Sequence, residues 1–288
     1  TGRSIVDGMA ELREHVGGFL VTFVEREGRL QGTDLERVKG LVEAAGDARL
    51  TIAGGVSTVE EVRELDALGA DAQVGMALYT GRFTIGQAVA GMLSSDRPDG
   101  LVPTVVADDS GVALGLAYSS ADTLAEAIDT RAGVYHSRRR GRWKKGETSG
   151  AVQELLAVDL DCDRDSVRFK VRQTQPGFCH LDTWTCFGDA TGVPELARML
   201  ASRVASAPEG SYTRRLLDDP GLLAAKLREE ATELADAETP HDVAHEVADV
   251  VYFALVAMVR KGVTWSEVEA VLDRRSRRVT RRPGNAKP

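Results

Sequence analysis

The stretch Leu101-Val-Pro-Thr-Val-Val-Ala107, Asp108-Asp109-Ser110-Gly111, Val112-Ala-Leu-Gly-Leu-Ala-Tyr118 changes the character of the chain. Two apolar runs flank four turn-forming residues, which is the pattern of a β-hairpin. Upstream, residues 1–95 alternate helix and strand. Helices are expected over Ile5–His15 and Asp34–Ala45, and strands over Phe19–Val24, Leu50–Ala53 and Ala72–Val74. Ser57, with Glu60 three residues on, reads as the capping box of a further helix. Strands separated by helices predict parallel βα units. Downstream of the hairpin, a helix over Ala121–Thr130 and strands over Gly133–Ser137, Val152–Asp159 and Val167–Gln173 predict an α+β domain. From there on the pattern is helical, over Pro194–Ala205, Leu222–Ala237, Asp242–Lys261 and Ser266–Arg278. Thr239 followed by Pro240 is a strong helix start. The chain therefore reads as multidomain, divided at 1–95, 96–190 and 191–288. The turn-rich Ser94-Ser-Asp-Arg-Pro-Asp-Gly100 forms the first boundary.

The 288 residues are 43% hydrophobic and carry a formal net charge of −8. That is enough apolar material for more than one core, and the acidity argues against general nucleic-acid binding. Arg274, Arg275, Arg277, Arg278, Arg281 and Arg282 crowd the C-terminus and read as a solvated helix face running into a basic tail. The longest apolar run, Val247–Val259, has 13 residues and contains Asp249. A membrane-crossing helix needs about 20, so the run reads as a buried helix and the protein as cytoplasmic. The chain starts at Thr1 without an initiator Met, and a truncated N-terminus is expected.

All three cysteines, Cys162, Cys179 and Cys186, fall within 25 residues. This points to a metal rather than to a disulfide framework. In a strand ending at Asp161-Cys162-Asp163-Arg164-Asp165, the three Asp lie on one side of the pleat and Cys162 and Arg164 on the other. Clustered carboxylates repel one another unless a cation binds, and they suit Mg2+ or Ca2+, whereas thiolates suit Zn2+. Three thiolates without a clear fourth protein ligand match a catalytic zinc site, with His180 beside it as general base. A structural site with His180 as fourth ligand stays open, as does a metal-free cluster. Upstream, the segment Tyr135–Gly150 combines Ser137, Arg138, Arg139 and Arg140 with Trp143, Lys145, Gly146, Glu147, Thr148 and Ser149. Arginine, lysine and backbone amides suit phosphate, although a basic surface hairpin has the same composition.

Taken together, Trp143-Lys-Lys-Gly-Glu-Thr-Ser-Gly150, Asp161-Cys-Asp-Arg-Asp165 and Gly177-Phe-Cys-His180 with Cys186-Phe187 resemble the phosphoribosyl-AMP cyclohydrolases over about residues 98–188. The resemblance implies a zinc- and magnesium-dependent hydrolysis in which zinc-activated water attacks C6 of the adenine ring and the N1–C6 bond opens. It also implies a homodimer whose zinc site is shared, with Cys162 of one subunit beside Cys179 and Cys186 of the other. Arg139 and Ala151 depart from the family pattern at positions taken as substrate contacts.

In the helical segment, Lys226 precedes Glu229, Glu230 and Glu233, which share a helix flank, and the next helix presents Glu246 and Asp249. An antiparallel hairpin of these helices would bring five carboxylates together, a site for Mg2+. A solvated acidic face is the alternative for the first three. Glu246 and Asp249, however, lie in or beside the apolar run, where an unpaired carboxylate is costly. With Ser211-Tyr-Thr213, these residues resemble phosphoribosyl-ATP pyrophosphohydrolase, an all-α relative of the MazG-type enzymes, over about residues 194–280. The resemblance implies cleavage between the α and β phosphates, giving the substrate of the preceding domain.

Thr51-Ile-Ala-Gly54-Gly55-Val-Ser57 and Val74-Gly75-Met-Ala-Leu-Tyr79 resemble the last strands of a phosphoribosyl-binding (β/α)8 barrel of the histidine-pathway isomerase type. In that fold, loops after the last strands hold phosphate through backbone amides, here at Gly54, Gly55 and Gly75. With about three strands in the sequence, isomerase activity is not expected. The linker Asp96-Arg-Pro-Asp-Gly100 and the ending Arg281-Arg-Pro-Gly-Asn-Ala-Lys-Pro288 resemble the fungal multifunctional histidine enzymes, in which a histidinol dehydrogenase follows. The leading expectation is a bifunctional hydrolase of small nucleotides. Two alternatives remain: a general nucleotide pyrophosphohydrolase with a structural zinc module, and a non-enzymatic zinc-stabilised scaffold.

Overall fold

The structure is a computed structural model and describes residue 2, residues 4–188 and residues 190–276. The basic tail from Arg277 onward lies outside the described residues. The chain divides into two compact units, residues 1–107 with 113–178, and residues 108–112 with 179–288. The boundary expected near residue 95 thus falls inside the first unit, and the unit break near the expected 190 comes at 178–179.

In the first unit, α1 (Ile5–Leu12), β1 (Gly18–Thr22), α2 (Leu35–Ala45), β2 (Arg49–Ala53), α3 (Val59–Ala67) and β3 (Asp71–Gln73) follow the expected alternation. The three strands pair in parallel in the order β1-β2-β3. Parallel neighbours need a crossover, and α2 and α3 supply it. Val21, Phe23, Val38, Leu41, Ile52 and Leu65 form the core between sheet and helices. The cap of α3 sits one residue later than the sequence suggested. Thr58, not Ser57, accepts from the Glu61 amide, and Glu61, not Glu60, closes the box. Glu61 also accepts from the amides of Ser57 (2.7 Å) and Thr33 (3.1 Å), and these contacts select it over Glu60. Two short helices, α4 (Met76–Tyr79) and α5 (Ile85–Ala90), were not expected.

The same unit continues with β4 (Val102–Asp108), β5 (Ala113–Ser119), α6 (Ala121–Thr130), β6 (Val134–Ser137), β7 (Gly141–Lys144), β8 (Gln153–Leu160) and β9 (Val167–Gln173). The hairpin is confirmed, with Val102 opposite Ser119 and a register shift at Val106/Ala107. The larger sheet has the order β5-β4-β9-β8, and β6-β7 form a separate ribbon. Val106, Leu114, Leu124, Tyr135 and Phe169 are fully buried. The α5 and α6 helices approach so closely that a Cβ added at Gly86 would lie 2.2 Å from the Ala125 carbonyl oxygen.

The second unit holds α7 (Gly192–Ser206), α8 (Tyr212–Asp218), α9 (Pro220–Asp236), α10 (Pro240–Arg260) and α11 (Trp265–Ser276) around Leu200, Leu216, Leu223, Phe253, Leu255 and Val256. Thr239 caps α10 by accepting from the Asp242 amide. The run Val247–Val259 is only half a core helix. Phe253, Leu255 and Val256 are buried, but Val247 is 41% exposed and Asp249 faces solvent. Among the described residues no helix is long and apolar enough to cross a membrane. The architecture is multidomain α/β with a helical C-terminal region.

Candidate functional site

The strand β8 ends at Leu160, which pairs with Val167, so residues 161–166 form a loop rather than a strand end. The alternation inferred for Asp161–Asp165 is therefore absent. The carboxylates converge by another route: Arg164 takes a left-handed backbone (φ 65°), and the ligand oxygens of Asp161, Asp163 and Asp165 lie within 4.8 Å of one another. Ser166 donates to both Asp161 oxygens, from its amide (3.1 Å) and its hydroxyl (2.5 Å), and holds that carboxyl below its ordinary range. The opposite holds at Asp165, where the Asp163 charge comes first, followed by desolvation and Asp161, and pushes the carboxyl up. Asp96 adds to the same negative field. The Cys162 thiol is exposed, with Sγ 4.0 Å from Asp163 Oδ1.

In the second unit, Cys179 is buried and closes a tight loop. Its amide donates to the Thr183 carbonyl (3.2 Å), and Asp182, in a left-handed conformation, donates back to the Cys179 carbonyl. The Cys179 thiol is held below its usual range by the Leu181 amide and the Thr183 side chain, with Cys186 contributing further. Its Sγ lies 3.9 Å from His180 Nδ1. A low thiol pKa favours the thiolate, which is the metal-binding form. The loop is anchored by residues the sequence reading passed over. The Trp184 indole donates to Oδ2 of Asp108, which is 1% exposed, at 2.8 Å. The Arg198 guanidinium stacks 4.2 Å from the Trp184 ring and reaches the same Asp108 oxygen at 3.4 Å. Asp108 had read only as a turn former, and Arg198 had not been singled out.

The basic segment is the β6-β7 ribbon and the turn after it. Arg138 stacks over Tyr118 (4.8 Å), Trp143 against Tyr135 (4.9 Å), and Lys145 over Phe178 (5.7 Å). Ser137 Oγ accepts from the amides of Arg139 and Arg140, and Ser149 Oγ from that of Ala151. Glu147 lies 3.7 Å from Arg142, and Thr148 is exposed. Gly146 has φ 84°, and a Cβ there would meet the Val152 backbone at 2.5 Å, so this turn requires glycine. Ala151, expected at a substrate contact, is instead 1% exposed and belongs to the core.

Of the five helical carboxylates, Glu230, Glu233 and Glu246 bring oxygens within 4.8 Å of one another. Glu230, for which a solvated face was the alternative to a metal site, is 5% exposed. Lys226 Nζ bridges Glu229 (2.8 Å) and Glu230 (2.9 Å), and both pairs raise the Lys226 pKa. The Glu233 carboxyl is pushed up by desolvation, then by Glu230, Glu246 and Glu229. Asp249 stands outside this group of three. Thr213 hydrogen-bonds Tyr252 (3.1 Å), and Ser211 caps α8. A further cavity of about 250 Å³ is lined by Thr22, Gly28, Gly54, Gly55, Gly75 and Met76, among others. Gly54 and Gly55 both have φ 92°.

Three family models match the chain: histidine biosynthesis protein over residues 1–84, phosphoribosyl-AMP cyclohydrolase over 115–188, and phosphoribosyl-ATP pyrophosphohydrolase over 193–276. The histidine biosynthesis trifunctional protein of Komagataella pastoris is 48% identical over 84% of this chain and 28% of its own length. The bifunctional protein his7 of Schizosaccharomyces pombe is 53% identical over 67% of this chain and 46% of its own. The chain thus spans from about a quarter to about half of these fungal relatives. The histidine biosynthesis bifunctional protein HisIE of Photobacterium profundum is 38% identical over 62% of this chain and 94% of its own length. The chain belongs to the family of histidine biosynthesis bifunctional proteins, with a cyclohydrolase and a pyrophosphohydrolase domain in sequence.

Proposed function

We propose that this chain hydrolyses phosphoribosyl-ATP to phosphoribosyl-AMP and pyrophosphate in its helical domain, and opens the adenine ring of that product in its α+β domain. The observation that carries the reading is the convergence of two separate carboxylate triads, each within a segment matched by one of the two hydrolase families. Both triads are hard oxygen donor sets that suit Mg2+. The Cys179 environment, which favours thiolate, suits Zn2+. In our reading Cys162, Cys179 and Cys186 hold the zinc, with Cys162 contributed by the second subunit of a homodimer. Bound there, zinc would lower the pKa of a water molecule toward neutrality.

The remaining chemistry belongs to the chain's own residues. His180, beside Cys179, takes and returns the proton of the attacking water. Ser137, Arg138 and Lys145, with the backbone of Gly146, Glu147, Thr148 and Ser149, bind phosphate and ribose, and Trp143 packs along the base. In the helical domain, Glu230, Glu233 and Glu246 hold magnesium against the triphosphate, and Lys226 offsets its charge. Glu233 and Glu229 orient the water. Asp249 takes part only when metal and substrate draw it in. We further read the β1-β3 segment as the end of a phosphoribosyl-binding barrel, the helical domain as MazG-like, and the protein as a cytoplasmic enzyme that in its fungal setting adjoins a histidinol dehydrogenase.

The test is one reaction with phosphoribosyl-ATP, Mg2+ and Zn2+, in which pyrophosphate and the opened-ring product are followed together. Glu230→Gln should abolish pyrophosphate release, and Cys179→Ala should abolish ring opening alone. Pyrophosphate from ordinary nucleoside triphosphates without ring opening would favour a general nucleotide pyrophosphohydrolase, and no turnover would leave a scaffold.

A further inference from the structure

Arg164 stands between two of the three carboxylates of the β8-β9 loop, yet its side chain leaves them. Its guanidinium grips Asp66, at the end of α3, through both nitrogens: Nη2 donates to Asp66 Oδ1 at 2.7 Å, and Nη1 to Oδ2. Nη1 also lies 3.6 Å from Met92 Sδ. The main chain is tied as well, since the Ser94 amide donates to the Arg164 carbonyl at 2.9 Å. All three partners belong to residues 66–94, outside the segment that matches the cyclohydrolase family. The loop needs such a fixture. Its carboxylates oppose one another, and Arg164 holds a left-handed conformation that glycine would adopt without strain.

We propose that Asp66 is a positioning residue for the cyclohydrolase, by which the βα segment preceding that domain holds the Asp161–Asp165 loop in its cation-binding shape through Arg164. This rests on the reading of Asp161, Asp163 and Asp165 as a divalent-cation site, and it gives the first segment a task that needs no ligand of its own. The pair is roughly one-third exposed on each side, at 36% and 34%, so water screens it partly. The bidentate geometry supplies direction more than energy. Residues that orient metal ligands from behind commonly change metal affinity by ten- to a hundredfold, and a partly screened pair belongs at the lower end, about tenfold.

The experiment is a Mn2+ titration of the full chain, read by electron paramagnetic resonance, with Asp163→Asn as the control that identifies the site. Asp66→Asn should weaken Mn2+ binding by about tenfold, and Asp66→Glu should recover most of it. In turnover, the Asp66→Asn effect should fall on the KM for Mg2+ rather than on kcat. Arg164→Gly suits the left-handed backbone while removing the guanidinium, so it should show the same loss and serves if Asp66→Asn folds poorly. Wild-type affinity in Asp66→Asn and Arg164→Gly, alongside lost binding in Asp163→Asn, would overturn the positioning role alone. Unchanged binding in Asp163→Asn would overturn the cation site and the positioning role with it.

Discussion

Replacing Trp184 by Phe removes the indole N–H that anchors the cysteine loop, together with two carbons of its five-membered ring. The indole N–H is 2.8 Å from Asp108 Oδ2. The other Asp108 oxygen keeps the amides of Ser110 (3.0 Å) and Val112 (2.9 Å). Among the described residues, Oδ2 would retain only Arg198, at 3.4 Å. Losing a hydrogen bond to a buried charged acceptor costs about 1.5–3 kcal/mol. A smaller ring under Arg198 weakens the cation–π contact by about 0.5 kcal/mol more. The expected loss is therefore about 2–3.5 kcal/mol. Urea unfolding read by tryptophan fluorescence in a Trp143→Phe background reports the second unit, which holds both remaining tryptophans, Trp184 and Trp265, in the reference and Trp265 alone in the variant. The variant should also release zinc at lower chelator concentration than the wild type. In an Asp108→Asn background the Trp184→Phe loss should shrink, because the two residues share one bond. A loss under about 0.5 kcal/mol with zinc retention unchanged would refute the anchoring argument.

Glu233 gives a pH signature. Its carboxyl is raised above 4.5, chiefly by desolvation and then by Glu230 and Glu246, so protonation favours the folded state. That contribution is complete below 4.5 and is lost as pH rises through the elevated folded value. Without metal, melting of the helical domain should fall over this window, and Mg2+ should restore it above; a flat profile would remove the crowding argument. His180→Ala should keep zinc stoichiometry while ring opening collapses, whereas Cys179→Ala should lose both, as read by metal analysis beside the assay. Gly86→Ala should destabilise the first unit by about 1–3 kcal/mol, because its methyl would overlap the Ala125 carbonyl; thermal melts will measure it.

Local signals made much of this protein legible. Thr239-Pro240 opened its helix as expected, and the hairpin at residues 108–111 formed where turn residues separated apolar runs. The aspartates of residues 161–165 were identifiable as a group, because their chemistry is conspicuous in a short span. Which carboxylate is buried was not legible. Glu230 lies inside, although a solvated face was open to it, and Asp249 outside, although it falls in an apolar run, because burial is set by helices packed from elsewhere in the chain. Nor did the strand alternation at Asp161–Asp165 hold, since nothing in the order of residues marks Arg164 as left-handed. The Asp66–Arg164 pair spans 98 positions and has no local trace.

The five residues 108–112 belong to the second unit although both of their flanking strands belong to the first. No single cut therefore separates the two. Fragments made by dividing the chain at residue 178 would leave Asp108 on one piece and Trp184, its hydrogen-bonding partner, on the other. Such halves should be poor as separate products and productive as a pair, recovering by reassembly what neither holds alone. Anyone transplanting the helical domain into another protein would have to carry across a short piece of the neighbouring gene segment, or design a substitute for its buried carboxylate.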